Sequence, residues 1–186
     1  MNKSNYLKIL GFAVLYVVTV FTTAFLGYLS PYAWVFFPVI AAILGALSYY
    51  SAAVRWQKFG VGTLFAFMLA AFLLAVGECD LSETLLMLLA GVLSDVVRQF
   101  IGNTSLRGQS LAYPILSIGV IAWILPLWTR TEWYYQGAAE ELGIDYAKRL
   151  MTFGSSWGLI AVALTTAIAG FVGIQFAAKV IKSGKK

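Results

Sequence analysis

Long uninterrupted runs of apolar residues, recurring along nearly the whole chain, constrain its fold more than any other feature. A hydrocarbon core about 30 Å thick takes roughly 20 helical residues to cross. Six stretches answer to that length: Leu7 to Leu29, Ala33 to Val54, Val61 to Val76, Thr84 to Ile101, Leu111 to Trp128 and Phe153 to Ala178. They are continuous rather than alternating, which excludes a transmembrane β-barrel. Apolar types make up 61% of the residues and charged types 11%. A chain of that composition cannot coat its surface with polar groups, so a water-soluble fold and intrinsic disorder are both excluded. The expectation is an all-α, polytopic membrane bundle with six transmembrane helices, forming a single domain over residues 1–186. The first run is too long for the apolar segment of a signal peptide and reads as a retained anchor.

Charge placement gives an independent topology. With the N-terminus in the cytoplasm, the inner segments collect Lys3, Lys8, Arg55, Lys58, Arg98, Arg107, Lys179, Lys182, Lys185 and Lys186. Only Arg130, Lys148 and Arg149 fall outside, together with every acid except Asp95. Lys and Arg concentrate in cytoplasmic loops, so both termini are predicted on the inner face of the cell membrane. The net charge of +5 reads as topology plus contact with anionic lipid heads. It is scattered over short loops, which argues against a nucleic-acid partner.

The connections are unequal. The turns at Arg55–Gly60, Ser30–Pro31 and Gly102–Gln109 are short, whereas the outer segment from Thr129 to Thr152 is long. Long loops in compact domains are commonly lids or binding elements. Ala139, Leu142, Tyr146 and Leu150 follow helical spacing, so part of this segment is expected to be a short amphipathic helix, limited by Gly137 and Gly143. Tyr28, Tyr32, Trp34, Trp128, Trp133, Tyr134, Tyr135 and Trp157 map to the outer ends of the spans, close to Glu78, Asp80, Arg130 and Glu132. Two readings stay open for these rings: an interfacial aromatic belt, or the wall of a pocket that stacks on a flat substrate.

Asp95 and Arg98 lie in the inner half of the fourth span at i,i+3 spacing. Charge in a bilayer is costly, so they are expected to face protein, water or each other. A structural pair and a coupling or proton-relay role are the two readings. Small residues repeat at every fourth position, as in Ala42 and Ala46, Ala66 and Ala70, and Ala169, Gly173 and Ala177. They serve close helix packing or docking onto another membrane subunit.

Several chemistries are excluded. The chain has no histidine and one cysteine, Cys79, so no His base, His-ligated metal, Cys-cluster metal or internal disulfide is available. There is no phosphate-cradling G-x-x-x-x-G-K-[ST] run. Ser155 and Ser156 read as helix caps. Glu140 and Glu141 read as a solvated face, with a hard-cation site as the alternative. No catalytic role, metal or resident cofactor is expected.

Leu125-Pro126-Leu127-Trp128, then Arg130, then Trp133 to Tyr135 and Asp145-Tyr146-Ala147, together resemble the corresponding stretch of the Trep_Strep family of integral membrane proteins. Weaker echoes are Pro38, Gly45, Lys58-Phe59-Gly60, Gly91 with Asp95, and Tyr113 with Ser117; the Gly77-Glu78-Cys79-Asp80 turn departs from the pattern. That family is similar to the substrate-binding S components of energy-coupling factor (ECF) transporters. The resemblance implies six spans with both termini inside, a small substrate captured from outside, and a separate membrane coupling subunit with two ATPase subunits. Many S components dock through an A-x-x-x-A pattern in the first span. Here Gly11, Ala13 and Val17 occupy that region in degraded form.

The expected function is capture of an aromatic or vitamin-like molecule. The expected site is Tyr28, Tyr32, Trp34, Glu78, Asp80, Trp128, Arg130, Glu132, Trp133, Tyr134, Tyr135 and Trp157, with Arg130 gripping a substrate carboxylate or phosphate. Haem or another tetrapyrrole is a second candidate; haem iron would need a Tyr, Met or Cys ligand, with Tyr134, Tyr135, Met151 and Cys79 among the outer-side candidates. A stand-alone secondary carrier and a non-transporting membrane adaptor are the alternatives.

Overall fold

The computed structural model describes residues 3–183. Lys185 and Lys186, and the side chain of Lys3, lie outside what is described. All regular structure among the described residues is helical. The elements are α1 (Lys3–Ala24), continued by a 3-10 turn (Phe25–Leu29), α2 (Pro31–Ala53), α3 (Val61–Ala75), α4 (Leu81–Ile101) and α5 (Leu106–Gly119). A 3-10 segment (Val120–Ile124) leads from α5 to α6 (Pro126–Thr129), α7 (Thr131–Leu142), α8 (Ile144–Met151) and α9 (Ser156–Ser183).

Four segments are long and apolar enough to cross a membrane: Ser4–Leu29, Pro31–Ala53, Leu81–Ile101 and Ser156–Ser183. The third expected span is a shorter apolar helix of 15 residues. The fifth is displaced: α5 starts at Leu106, earlier than expected, and leaves α-geometry at Val120. Pro126 then opens α6 at a position where its missing N–H costs nothing. The helices close into a ring, α1 against α2, α2 against α9, α9 against α5, α5 against α4, α4 against α3 and α3 back against α1.

Small residues build that ring. A Cβ on Gly173 would lie 2.9 Å from the Ala46 Cβ and 3.0 Å from the Ala42 carbonyl oxygen, so α9 can approach α2 only with glycine there. Ala169 and Ala177 are buried on the same face. Ala13 and Val17 of α1 are buried in the core as well. Of the residues expected to dock a partner, Ala13, Val17, Ala169, Gly173 and Ala177 are thus occupied by packing within the chain. Gly11 alone is exposed, with no atom near its Cβ position.

Asp95 and Arg98 are fully buried. Asp95 caps α3 from a neighbouring helix: Oδ1 accepts from the Gly62 N–H at 2.9 Å, and Oδ2 accepts from the Thr63 N–H and Oγ1 at 2.8 Å each. Arg98 lies 3.7 Å from Asp95 and donates to the carbonyls of Trp56, at 3.2 Å, and of Lys58. The carboxylate thus satisfies orphan N–H groups at a helix start, while the guanidinium pins the α2–α3 turn. These contacts are those of the structural pair.

A candidate ligand cavity beneath the α7 and α8 helices

The segment from Thr129 to Thr152 folds as two helices. The break comes at Gly143, whose φ of 93° suits glycine; Gly137 stays inside α7. Ala147 and Leu150 turn inward from α8. Together α7 and α8 roof a cavity of about 440 Å³ at the end of the bundle where α1 finishes and α4 begins. That is within the usual range for a small-molecule site.

Two hydrogen bonds fasten the roof. Trp34 Nε1 donates to Tyr134 Oη at 2.6 Å, and Tyr146 Oη donates to the Gly27 carbonyl at 2.6 Å. A third tie fixes the chain after α8: Trp128 Nε1 donates to the Phe153 carbonyl at 2.7 Å. Burial pushes the Tyr146 hydroxyl up to about 12 and the Tyr134 hydroxyl higher still. Both phenols therefore keep their protons at neutral pH. Tyr134 accepts from Trp34, and its own proton has no acceptor among the described residues.

Trp123 forms part of the wall at the inner end of the cavity. It is buried, stacks parallel on Phe21 at 6.1 Å between centroids, and meets Trp34 and Phe37 edge-on at 5.9 and 5.2 Å. Its Nε1 donates to Glu78 Oε2 at 3.3 Å. Edge-to-face arrays of this kind hold rings rigidly, which suits a surface that must present one face to a ligand.

The charged rim centres on Arg130. Its Nη1 lies 2.6 Å from Asp80 Oδ2 and its Nη2 2.7 Å from Glu83 Oε1. Its guanidinium carbon also stands 5.0 Å from the centroid of the Trp133 ring. Glu83 is buried; its other oxygen accepts from the Asp80 N–H and Ser82 Oγ at 3.1 Å each. The hydrogen bond to Asp80 is the main influence raising the Arg130 pKa further. Both arms of the guanidinium are engaged, so Arg130 clasps the α6–α7 junction to the start of α4. The expected grip on a substrate anion gives way to this clasp. Around the cavity, Glu78, Asp80, Glu83 and Glu141 stand against this one cation. Glu141 makes no ion pair or side-chain hydrogen bond among the described residues.

Tyr28, Trp34, Glu78, Asp80, Arg130, Trp133 and Tyr134 line the cavity. The other expected site residues stand away from it. Tyr32 meets Phe153 edge-on, Trp128 is tied to Phe153, Glu132 accepts from Gln136, and Trp157 is exposed. Tyr135, half-buried on α7, is not part of the lining. Phe21, Glu83, Trp123 and Tyr146 are lining residues that the sequence did not single out as a site, and Glu141, read with Glu140 as a solvated face or a hard-cation site, lines it too. Cys79 also lines it; burial first, and then the carboxylates of Glu83, Glu78 and Asp80, push its thiol up to about 12. No group of His, Cys, Asp and Glu able to hold a metal ion occurs among the described residues.

Comparison with curated proteins and with solved structures gives no significant match. The model of one family, described as a hypothetical bacterial integral membrane protein (Trep_Strep), matches residues 5–183. With an all-helical ring whose longest members suit a lipid core, and a family model spanning almost its whole length, the chain belongs to the Trep_Strep family and is a bacterial integral membrane protein.

Proposed function

We propose that the protein is the substrate-binding subunit of an ECF-type importer. In this reading the chain passes the membrane six times with both termini in the cytoplasm. The α7–α8 end faces outward and captures a small aromatic or vitamin-like molecule. A separate membrane subunit and two ATPases would then drive its release inward.

The observation that carries the reading is the roofed cavity of about 440 Å³ at one end of the ring, with Trp123 in its wall and Trp34 and Tyr134 at its roof. Apolar walls with a few convergent polar groups are the usual make-up of a small-molecule site. The cavity favours a vitamin-like ligand over haem. Of the iron-ligand candidates, Tyr135 and Met151 do not line it, while Tyr134, already accepting from Trp34, and Cys79 do.

The test is uptake by cells expressing the protein with and without its ATPase partners, alongside mass spectrometry of whatever co-purifies. We expect a small molecule bound to the purified subunit and uptake only when the ATPases are present. Uptake without ATPases would make it a secondary carrier; an empty protein and no uptake would make it an adaptor.

A further inference from the structure

Resting on the capture reading, we propose that the ligand of this cavity is an organic cation: a ring-bearing or alkylated ammonium that sits among aromatic faces with its charge toward Glu78 and Glu141. Four carboxylates border the cavity and one guanidinium answers them. That guanidinium satisfies Asp80 and Glu83, at 2.6 and 2.7 Å. Glu78 receives only the Trp123 indole N–H, a neutral donor, at 3.3 Å. Glu141, on the roof, receives nothing among the described residues. The pair therefore leaves negative charge facing an open volume.

An anion entering that volume meets like charge and finds Arg130 already held on both arms. Glu78 and Glu141 are both exposed, so a neutral molecule leaves them to water and gains nothing from their charge. A cation answers it, and the walls add to the attraction. The negative faces of aromatic rings draw cations, most strongly those of Trp. Trp34, Trp123, Tyr134 and Tyr146 all border the same space. The Tyr hydroxyls stay protonated, so they add dipoles rather than charge.

The experiment measures binding to the purified, detergent-solubilised protein by tryptophan fluorescence. The probes are benzyltrimethylammonium, benzyl alcohol and benzenesulfonate. We expect the cation to bind at least roughly tenfold more tightly than either other probe, and more weakly as salt rises. Glu141→Gln and Glu78→Gln should each weaken the cation by roughly threefold to tenfold and leave benzyl alcohol unchanged. Glu141 makes no contact that folding needs, and a Gln at position 78 keeps an acceptor for Trp123, so both variants should fold.

Equal or tighter binding of the sulfonate, or unchanged cation affinity in both variants, overturns the proposal. So does mass spectrometry that finds a co-purifying anion, which would leave the capture reading standing. If no probe binds and nothing co-purifies, the capture reading itself fails and this one with it.

Discussion

Both ends of α4 carry charge, and the two ends treat it in opposite ways. Near its C-terminus, Asp95 and Arg98 are fully buried, and both carboxylate oxygens of Asp95 accept N–H or O–H hydrogens. The guanidinium beside them is tied to two backbone carbonyls. At its N-terminus, Asp80 and Glu83 hold Arg130 in a half-exposed clasp that borders empty volume, with further carboxylates left over. Buried charge held by backbone and by its counter-charge builds the fold, although the Arg98 Nε is left without a partner. Charge that looks onto open space is available to a ligand.

The comparison breaks most visibly at the buried end. Asp95→Ala should destabilise the chain by about 3–5 kcal/mol, because it strands Arg98 and uncaps α3. Thermal unfolding in detergent reads the loss. The protein that remains folded should keep its ligand affinity, and a selective loss of affinity at full stability would give Asp95 a direct part in binding.

Arg130→Gln comes next. Arg130 and Asp80 are exposed, so solvent screening discounts their pair, but buried Glu83 loses its cation; the cost is about 1–3 kcal/mol. By freeing negative charge beside the cavity, this change should strengthen cation binding rather than abolish it. A complete loss of binding in a folded variant would return Arg130 to the role that its sequence position suggests.

The smallest effect is at Cys79. The folded chain holds the thiol proton up to about pH 12, while the thiol's ordinary value is 9.0. This contribution to stability is fully present below pH 9 and is lost as pH rises toward 12. Denaturation measured across that window should therefore fall less steeply with pH in Cys79→Ala. An identical slope would show that the thiol titrates normally.

How far the sequence reached follows from the solvent it implies. Apolar runs revealed the four long helices, because length against a lipid core is a one-dimensional property. Helix orientation was hidden. Lipid and core are equally apolar, so Ala13, buried, and Val14, exposed, look alike along α1. Whether the small-residue faces serve packing or docking was not legible for that reason. The mouth of the cavity was legible through the clustering of Trp34, Trp133 and Tyr134 with acids. Trp123 was not, because it lay in the interior of an apolar run, and only the nearby Pro126 marked a change of geometry there. Nor could spacing reveal that Arg130 had two partners some fifty residues away.

The depth at which α3 starts has a consequence for the lipid around it. Its first turn is held by Asp95, yet α4 runs on to Ile101, roughly 9 Å further at 1.5 Å per residue. The rim of the ring remote from the cavity is therefore notched, with Arg55 and Lys58 exposed on the turn that fills it. Lipids bordering the notch must tilt or thin to keep those cations hydrated, at a cost of a fraction of a kcal/mol for each ångström of mismatch. A chain notched in this way is expected to sit with the least distortion in membranes of shorter acyl chains.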